Sequence, residues 1–158
     1  MFRESEKDRV NKLNACLAKI LSGMKPPEDL TVSQWADKNR RLTSESSAEV
    51  GKWRPSRTPY MFDILDSFTD PLIEHIVVVA ASQVGKSETI NNMVGYSIDQ
   101  DPGPILLIQP TIDDVKRYSE MRIAPMIRET RCLKRKVADP KSRDAANTKR
   151  QKSFPGGV

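Results

Sequence analysis

The chain has 158 residues, room for one ordinary domain and too little for two. Hydrophobic residues make up 37% of it and charged residues 30%, and no apolar run approaches the roughly 20 residues that cross a bilayer. The start, from Phe2 to Asp8, alternates charge where a signal peptide would be apolar, so membrane and secreted classes are not expected.

Taken in chain order, Val10, Leu13, Leu17, Ile20 and Leu21 recur at helical spacing and predict an amphipathic helix over residues 5–22, stopped by Gly23. A connector with Pro26 and Pro27 follows. Thr31 and Gln34 have capping-box spacing and open a short helix that carries Trp35 and ends near Asn39. The Ser/Glu-rich stretch 43–55 has no period and reads as a loop. Thr58 and Pro59 cap and start a third helix, with Met61, Ile64, Leu65 and Phe68 on one face, and Asp70-Pro71 ends it.

Residues 76–80 form a β-branched run of the kind buried on both faces of a parallel sheet. Residues 87–99 are predicted helical, with Ile90, Met93, Val94 and Ile98 on one side. After a turn at 101–104, residues 105–108 make a second buried strand. Thr111, with Asp114 three residues on, caps another helix that Pro125 interrupts or restarts. Strand, helix, strand, helix with short connections predicts an α/β fold with a parallel sheet and flanking helices, preceded by N-terminal helices. The loop motif at residues 80–87, described next, makes that sheet an incomplete P-loop NTPase one. The expected division is a helical and loop region over 1–57 and a partial P-loop domain with a basic C-terminal segment over 58–158.

The sharpest motif lies between the first strand and the helix after it: Ala80-Ala-Ser-Gln-Val-Gly85-Lys86-Ser87. It matches the phosphate loop GxxxxGK[ST], with Ala80 in place of the first glycine. Backbone amides of Ser82, Gln83 and Val84 and a helix N-terminus cradle phosphate oxygens. Gly85 supplies a left-handed turn, Lys86 a mobile charge for the outer phosphates, and Ser87 a hydroxyl for Mg²⁺. The bland alternative is a surface turn with an incidental lysine. No four-residue apolar run after Ile108 leads into Asp or Glu, so no residue is assigned a catalytic role and no ATP turnover is expected from these residues alone.

The net charge of +5 hides an asymmetry, because residues 1–115 sum to −4 and residues 116–158 to +9. Arg131, Lys134, Arg135 and Lys136 form one basic cluster, and Lys141, Arg143, Lys149, Arg150 and Lys152 a looser one. Such a segment attracts polyanions through their backbones, or is a solvated face. Cys16 and Cys132 form no CxxC pair and His75 is the single histidine, which sets Cys/His metal chemistry aside and fits reduced thiols in a cytosol.

Several stretches in order resemble the large terminase subunits of lambda-like tailed phages, which pump DNA into capsids: Val32-Ser-Gln-Trp-Ala-Asp37, Gly51-Lys-Trp-Arg54, Thr58-Pro-Tyr60, Ser82-Gln-Val-Gly-Lys-Ser-Glu88, Asp101-Pro-Gly-Pro-Ile-Leu106, Gln109-Pro-Thr111 and Phe154-Pro-Gly-Gly157. The resemblance implies the N-terminal, ATP-binding part of a packaging ATPase that uses Mg²⁺. Full-length members continue into an acidic strand, a coupling motif and a metal-dependent nuclease domain, and this sequence ends before them, as expected of a truncated product or partial sequence, or of a split enzyme.

By resemblance, Gly85, Lys86 and Ser87 carry over as phosphate-loop residues. Tyr60 matches an aromatic that packs on adenine, or it is a helix-start residue packed on the core. Thr111 matches a position that approaches DNA, or is a plain cap. Double-stranded DNA read with low specificity, a small terminase subunit and a portal are the implied partners, in the cytoplasm of a host or lysogen. Arg131, Lys134, Arg135 and Lys136 are the candidate DNA contacts. The rival readings are another helicase-like P-loop ATPase and a non-enzymatic nucleic-acid-binding or assembly protein with a degenerate loop.

Overall fold

The computed structural model describes residues 2–24, 28–45, 49–137 and 148–157. Helix α1, Phe2–Met24, runs slightly beyond its predicted bounds, and its apolar residues Val10, Leu13, Leu17, Ile20 and Leu21 are all exposed. Residues 25–27 of the predicted connector lie outside the described residues. Helix α2, Val32–Asn39, opens with the expected capping box: Thr31 Oγ1 accepts from the Gln34 amide, and Gln34 Oε1 accepts from the Thr31 amide at 3.2 Å.

The stretch read as a loop contains a strand. Residues Arg41–Leu42 (β1) pair antiparallel with Gly51–Lys52 (β2), Arg41 opposite Lys52 and Leu42 opposite Gly51. Two-residue strands carry no period, so nothing local announces them. The pairing carries the chain to Trp53, which is buried and whose amide donates to the Arg40 carbonyl at 3.1 Å. Thr58 does not cap the next helix with its side chain. Instead Pro59 begins a 3₁₀ turn, Pro59–Met61, that leads into helix α3, Phe62–Asp66. Met61 and Leu65 are buried as expected, whereas Phe68 stays at the surface, edge-on to Tyr96 with ring centres 6.5 Å apart.

Helix α4, Lys86–Asp99, is the central element. Its buried residues are Thr89, Asn91, Asn92, Gly95 and Ile98, and Ile90 of the predicted apolar stripe is exposed. The reason lies across the interface: a Cβ at Gly95 would come within 2.5 Å of Trp35 Cη2, so the missing side chain is what lets the indole approach. Trp35 is wholly buried and donates from Nε1 to Asp99 Oδ2 at 2.8 Å.

Helix α5, Ile112–Tyr118, passes through a single π turn, Ser119–Ile123, into helix α6, Ala124–Glu129, which restarts with Pro125 in its first turn. Helix α7, Arg131–Lys136, then lays the wholly buried Leu133 beside Gly95. The core gathers Val32, Trp35, Leu65, Met126, Leu133 and Phe154 from α2, α3, α6, α7 and the C-terminal segment. Phe154 sits in a small closed turn, exchanging two backbone hydrogen bonds of 3.1 Å with Gly157.

The predicted parallel sheet is corrected by the structure: among the described residues β1 and β2 form the only named sheet. Val77 and Val79 are 85% and 94% exposed, and Leu106 and Ile108 are 85% and 78% exposed. A β-branched run becomes a strand where adjacent backbones take its N–H and C=O groups and layers cover both faces. Here Ile105 packs on the core while Leu106 and Ile108 face outward, so one side of that run is covered.

Candidate functional site

The predicted phosphate loop is a tight turn feeding α4. Gly85 is the N-cap of the helix at φ 91°, ψ 7°, and Gln83 also takes a positive φ of 60°. Space does not demand the glycine, since a Cβ at this position would meet only Thr58 Cγ2 at 3.9 Å; the left-handed backbone does. Two left-handed residues bracketing Val84 turn the chain sharply into the helix, whose leading amides have no intrahelical acceptors. Lys86 folds back across the turn and donates to the carbonyls of Ala80, at 2.8 Å, and Ala81. Its third ammonium proton is left for another acceptor.

Neighbours hold this turn from several sides. Tyr60 is 58% exposed and its hydroxyl donates to the Val84 carbonyl at 3.2 Å, so it braces the loop and is not packed in the core. The Tyr118 hydroxyl donates to Asn91 Oδ1 at 2.8 Å and reaches the Ser87 carbonyl at 3.3 Å. Burial, and then the Glu88 charge, push the Tyr118 phenol up to about 12, so it stays protonated as a donor at neutral pH. Arg40 reaches the same turn of helix from α2: Nη2 donates to Glu88 Oε2 at 2.6 Å and Nε to Asn92 Oδ1 at 2.8 Å.

Beside the loop lies a cavity of about 580 Å³, bordered by Gly85, Glu88 and Thr89 on one wall and by Trp53, Arg54 and Thr58 on the other. Tyr60 does not line it. Neither the cavity nor the Arg40 contact is legible in the sequence, where Gly51-Lys-Trp-Arg54 stands out only by resemblance. Ser87 is exposed at the end of the loop. Among the described residues no group of three or more His, Cys, Asp or Glu side chains is placed to hold a cation. Mg²⁺ keeps several waters and shares phosphate oxygens, so one hydroxyl fits a cation that arrives with a nucleotide.

The remaining candidates lie apart from the loop. Thr111 caps α5: its hydroxyl accepts from the Asp114 amide at 3.1 Å and donates to Asp114 Oδ2 at 2.7 Å. Lys136 is tied to the last turn of α4, with Nζ 2.5 Å from the Asp99 carbonyl and 3.0 Å from Asp99 Oδ1. Arg131, Lys134 and Arg135 are exposed on α7. That helix meets α4 at its far end, roughly 20 Å from the loop at 1.5 Å per residue. Lys141 and Arg143 lie outside the described residues, and Lys149 pairs with Glu120 at 2.5 Å.

The family model for the phage terminase large subunit gpA, ATPase domain, matches residues 47–158. The chain belongs to the phage terminase large subunit family. It is 27% identical over 121 residues to the large terminase subunit of Escherichia phage lambda, covering 77% of this chain and 19% of that protein. It is 26% identical over 132 residues to the large terminase subunit of Enterobacteria phage P21, covering 84% of this chain and 20% of that protein. The terminase chain thus spans about a fifth of the length of the curated relatives it matches. No solved structure matches it. The matched ATPase-domain segment includes the phosphate loop, the Gly51–Lys52 strand and the terminal Phe154 turn, and the family match displaces the rival helicase-like assignment. No helix among the described residues is long and apolar enough to cross a membrane.

Proposed function

We propose that the chain binds ATP with Mg²⁺ at the phosphate loop, as the nucleotide-binding front of a motor whose complete form couples ATP hydrolysis to packaging of double-stranded DNA. The observation that carries this reading is the left-handed pair Gln83 and Gly85 turning the backbone into the N-terminus of α4, with Lys86 folded over the turn. Leading helix amides and the helix dipole favour an anion there. Lys86 would exchange neutral carbonyl partners for charged phosphate oxygens, which make the stronger hydrogen bonds. Ser87 would give its hydroxyl to Mg²⁺, which offsets phosphate charge when bound.

The neighbouring cavity lies within the size range of small-ligand sites and would take the nucleoside. Tyr60 enters this reading through its hydroxyl on Val84, with its exposed ring available to a purine. The exposed Arg131, Lys134 and Arg135 are proposed to meet DNA phosphates, with contacts that weaken as salt rises. A small terminase subunit and a portal would be protein partners of the complete motor.

Titration of ATP against the wild type and Lys86→Ala at matched salt tests the nucleotide claim. Saturable binding by the wild type, weakened at least tenfold in the variant, is expected. Equal and negligible binding by both would contradict it and leave the basic segment as the functional element.

A further inference from the structure

Among the described residues Arg40 is the one charged side chain that is fully buried, only 2% exposed. Its backbone ends α2, with its amide on the Ala36 carbonyl at 2.9 Å, and its carbonyl accepts from Trp53. Its guanidinium spans to α4 and grips Glu88 and Asn92, which stand four residues apart on one helical face. Glu88 follows Ser87 directly, so this grip falls on the first turn after the phosphate loop. The other Glu88 oxygen accepts from Asn91 Nδ2 at 3.0 Å and lies 3.8 Å from Arg122 Nη1. Tyr118 holds Asn91 and the Ser87 carbonyl from the opposite element.

Stability alone does not call for this arrangement. Burying a guanidinium is costly, and well-packed apolar residues often serve a core as well or better. The cost is visible in Arg40 itself: burial pulls its pKa below the ordinary value, and the Glu88 charge and hydrogen bond pull it back up. What a planar fork supplies is orientation, two donors fixed relative to one another. Orientation is what a site built from backbone amides needs, because misplacement by a fraction of an ångström weakens every contact at once.

We propose that Arg40 is a positioning residue for the phosphate loop, locking the first turn of α4 through Glu88 and Asn92 so that the amides from Gly85 to Ser87 stay set for a phosphate group. The functional consequence rests on the nucleotide reading given above; the grip itself does not. Arg40→Lys keeps the charge but replaces the fork with a single ammonium that cannot reproduce both contacts. Two readouts on the whole chain separate the claims.

The first is hydrogen exchange without nucleotide at the Glu88 and Thr89 amides, both bonded to the Gly85 carbonyl at 3.0 Å. Exchange there should speed up more than tenfold in Arg40→Lys, while the Ile98 amide at the other end of the helix changes less than twofold. The second is ATP affinity, expected to fall at least tenfold with the protein folded. Unchanged exchange at Glu88 and Thr89 would overturn the proposal, and so would unchanged ATP affinity in a wild type that binds. If the wild type binds no ATP, the nucleotide reading fails and the exchange result alone decides the grip. Should Arg40→Lys fail to fold, Glu88→Gln keeps the shape and removes the charge, with the same local loss of protection expected and the same outcome against it.

Discussion

The two residues that shape the predicted phosphate loop, Gln83 and Gly85, hold a left-handed backbone angle at different cost. Gly85 adopts φ 91° freely, whereas Gln83 holds φ 60° against the clash of its own Cβ. Gly85→Ala should therefore cost about 1–2 kcal/mol from backbone strain alone. Gln83→Gly should raise stability slightly, by about 0.5 kcal/mol, because relieved strain outweighs the added freedom of the unfolded chain. Urea midpoints at constant m-value check both, and a stable Gly85→Ala would mean the loop relaxes out of the left-handed region. Gly85, Lys86 and Ser87 stand out in the sequence because the phosphate-loop pattern is contiguous, and the left-handed turn that the pattern asks of Gly85 is present. Gln83 carries no such mark, and Arg40 meets Glu88 across 48 positions, a pairing no local pattern encodes.

Among elements, α4 binds the rest together at both ends. Arg40 and Tyr118 hold its start, and Asp99 holds its last turn against α2 through Trp35 and against α7 through Lys136. Burial by itself would raise the Asp99 carboxyl, but hydrogen bonds from Trp35, Lys136 and Gln100, with the Lys136 charge, bring it below the usual carboxylate value. A depressed folded pKa means the carboxylate stabilises the fold above the unfolded pKa of about 3.9, and that contribution is lost as pH falls through the lower folded value. Asp99→Asn should lower stability at neutral pH and flatten the acid limb of the stability curve. Urea melts from pH 6 down to pH 2 measure this, and an unchanged acid slope would sink it.

The capping box at Thr31 and Gln34 and the restart at Pro125 are legible at this scale because each signal lies within one turn of chain. The β1–β2 pair and the polar buried face of α4 are not. Their cause is a partner elsewhere: Arg40 accepts the Trp53 amide, and Gly95 yields to Trp35. The predicted parallel sheet does not form for the same reason, since residues 76–80 have the composition of a strand and, among the described residues, no adjacent strands pair with them and cover them.

Over the whole molecule, two anion-attracting regions sit at opposite ends of α4. At its start are the amides and Lys86 of the phosphate loop, and at its end the exposed Arg131, Lys134 and Arg135 of α7. Positive charge at either would favour a triphosphate, but only the first offers an ordered set of backbone donors. Amide-resolved NMR titration of the intact chain with MgATP, and separately with pyrophosphate, distinguishes them directly. The account predicts that both ligands shift the amides of Gln83 to Ser87 most, saturably, and that ATP alone also shifts residues bordering the cavity at Arg54 and Thr58. Shifts confined to α7 and to Lys149, Arg150 and Lys152, fading as salt is raised, would contradict it.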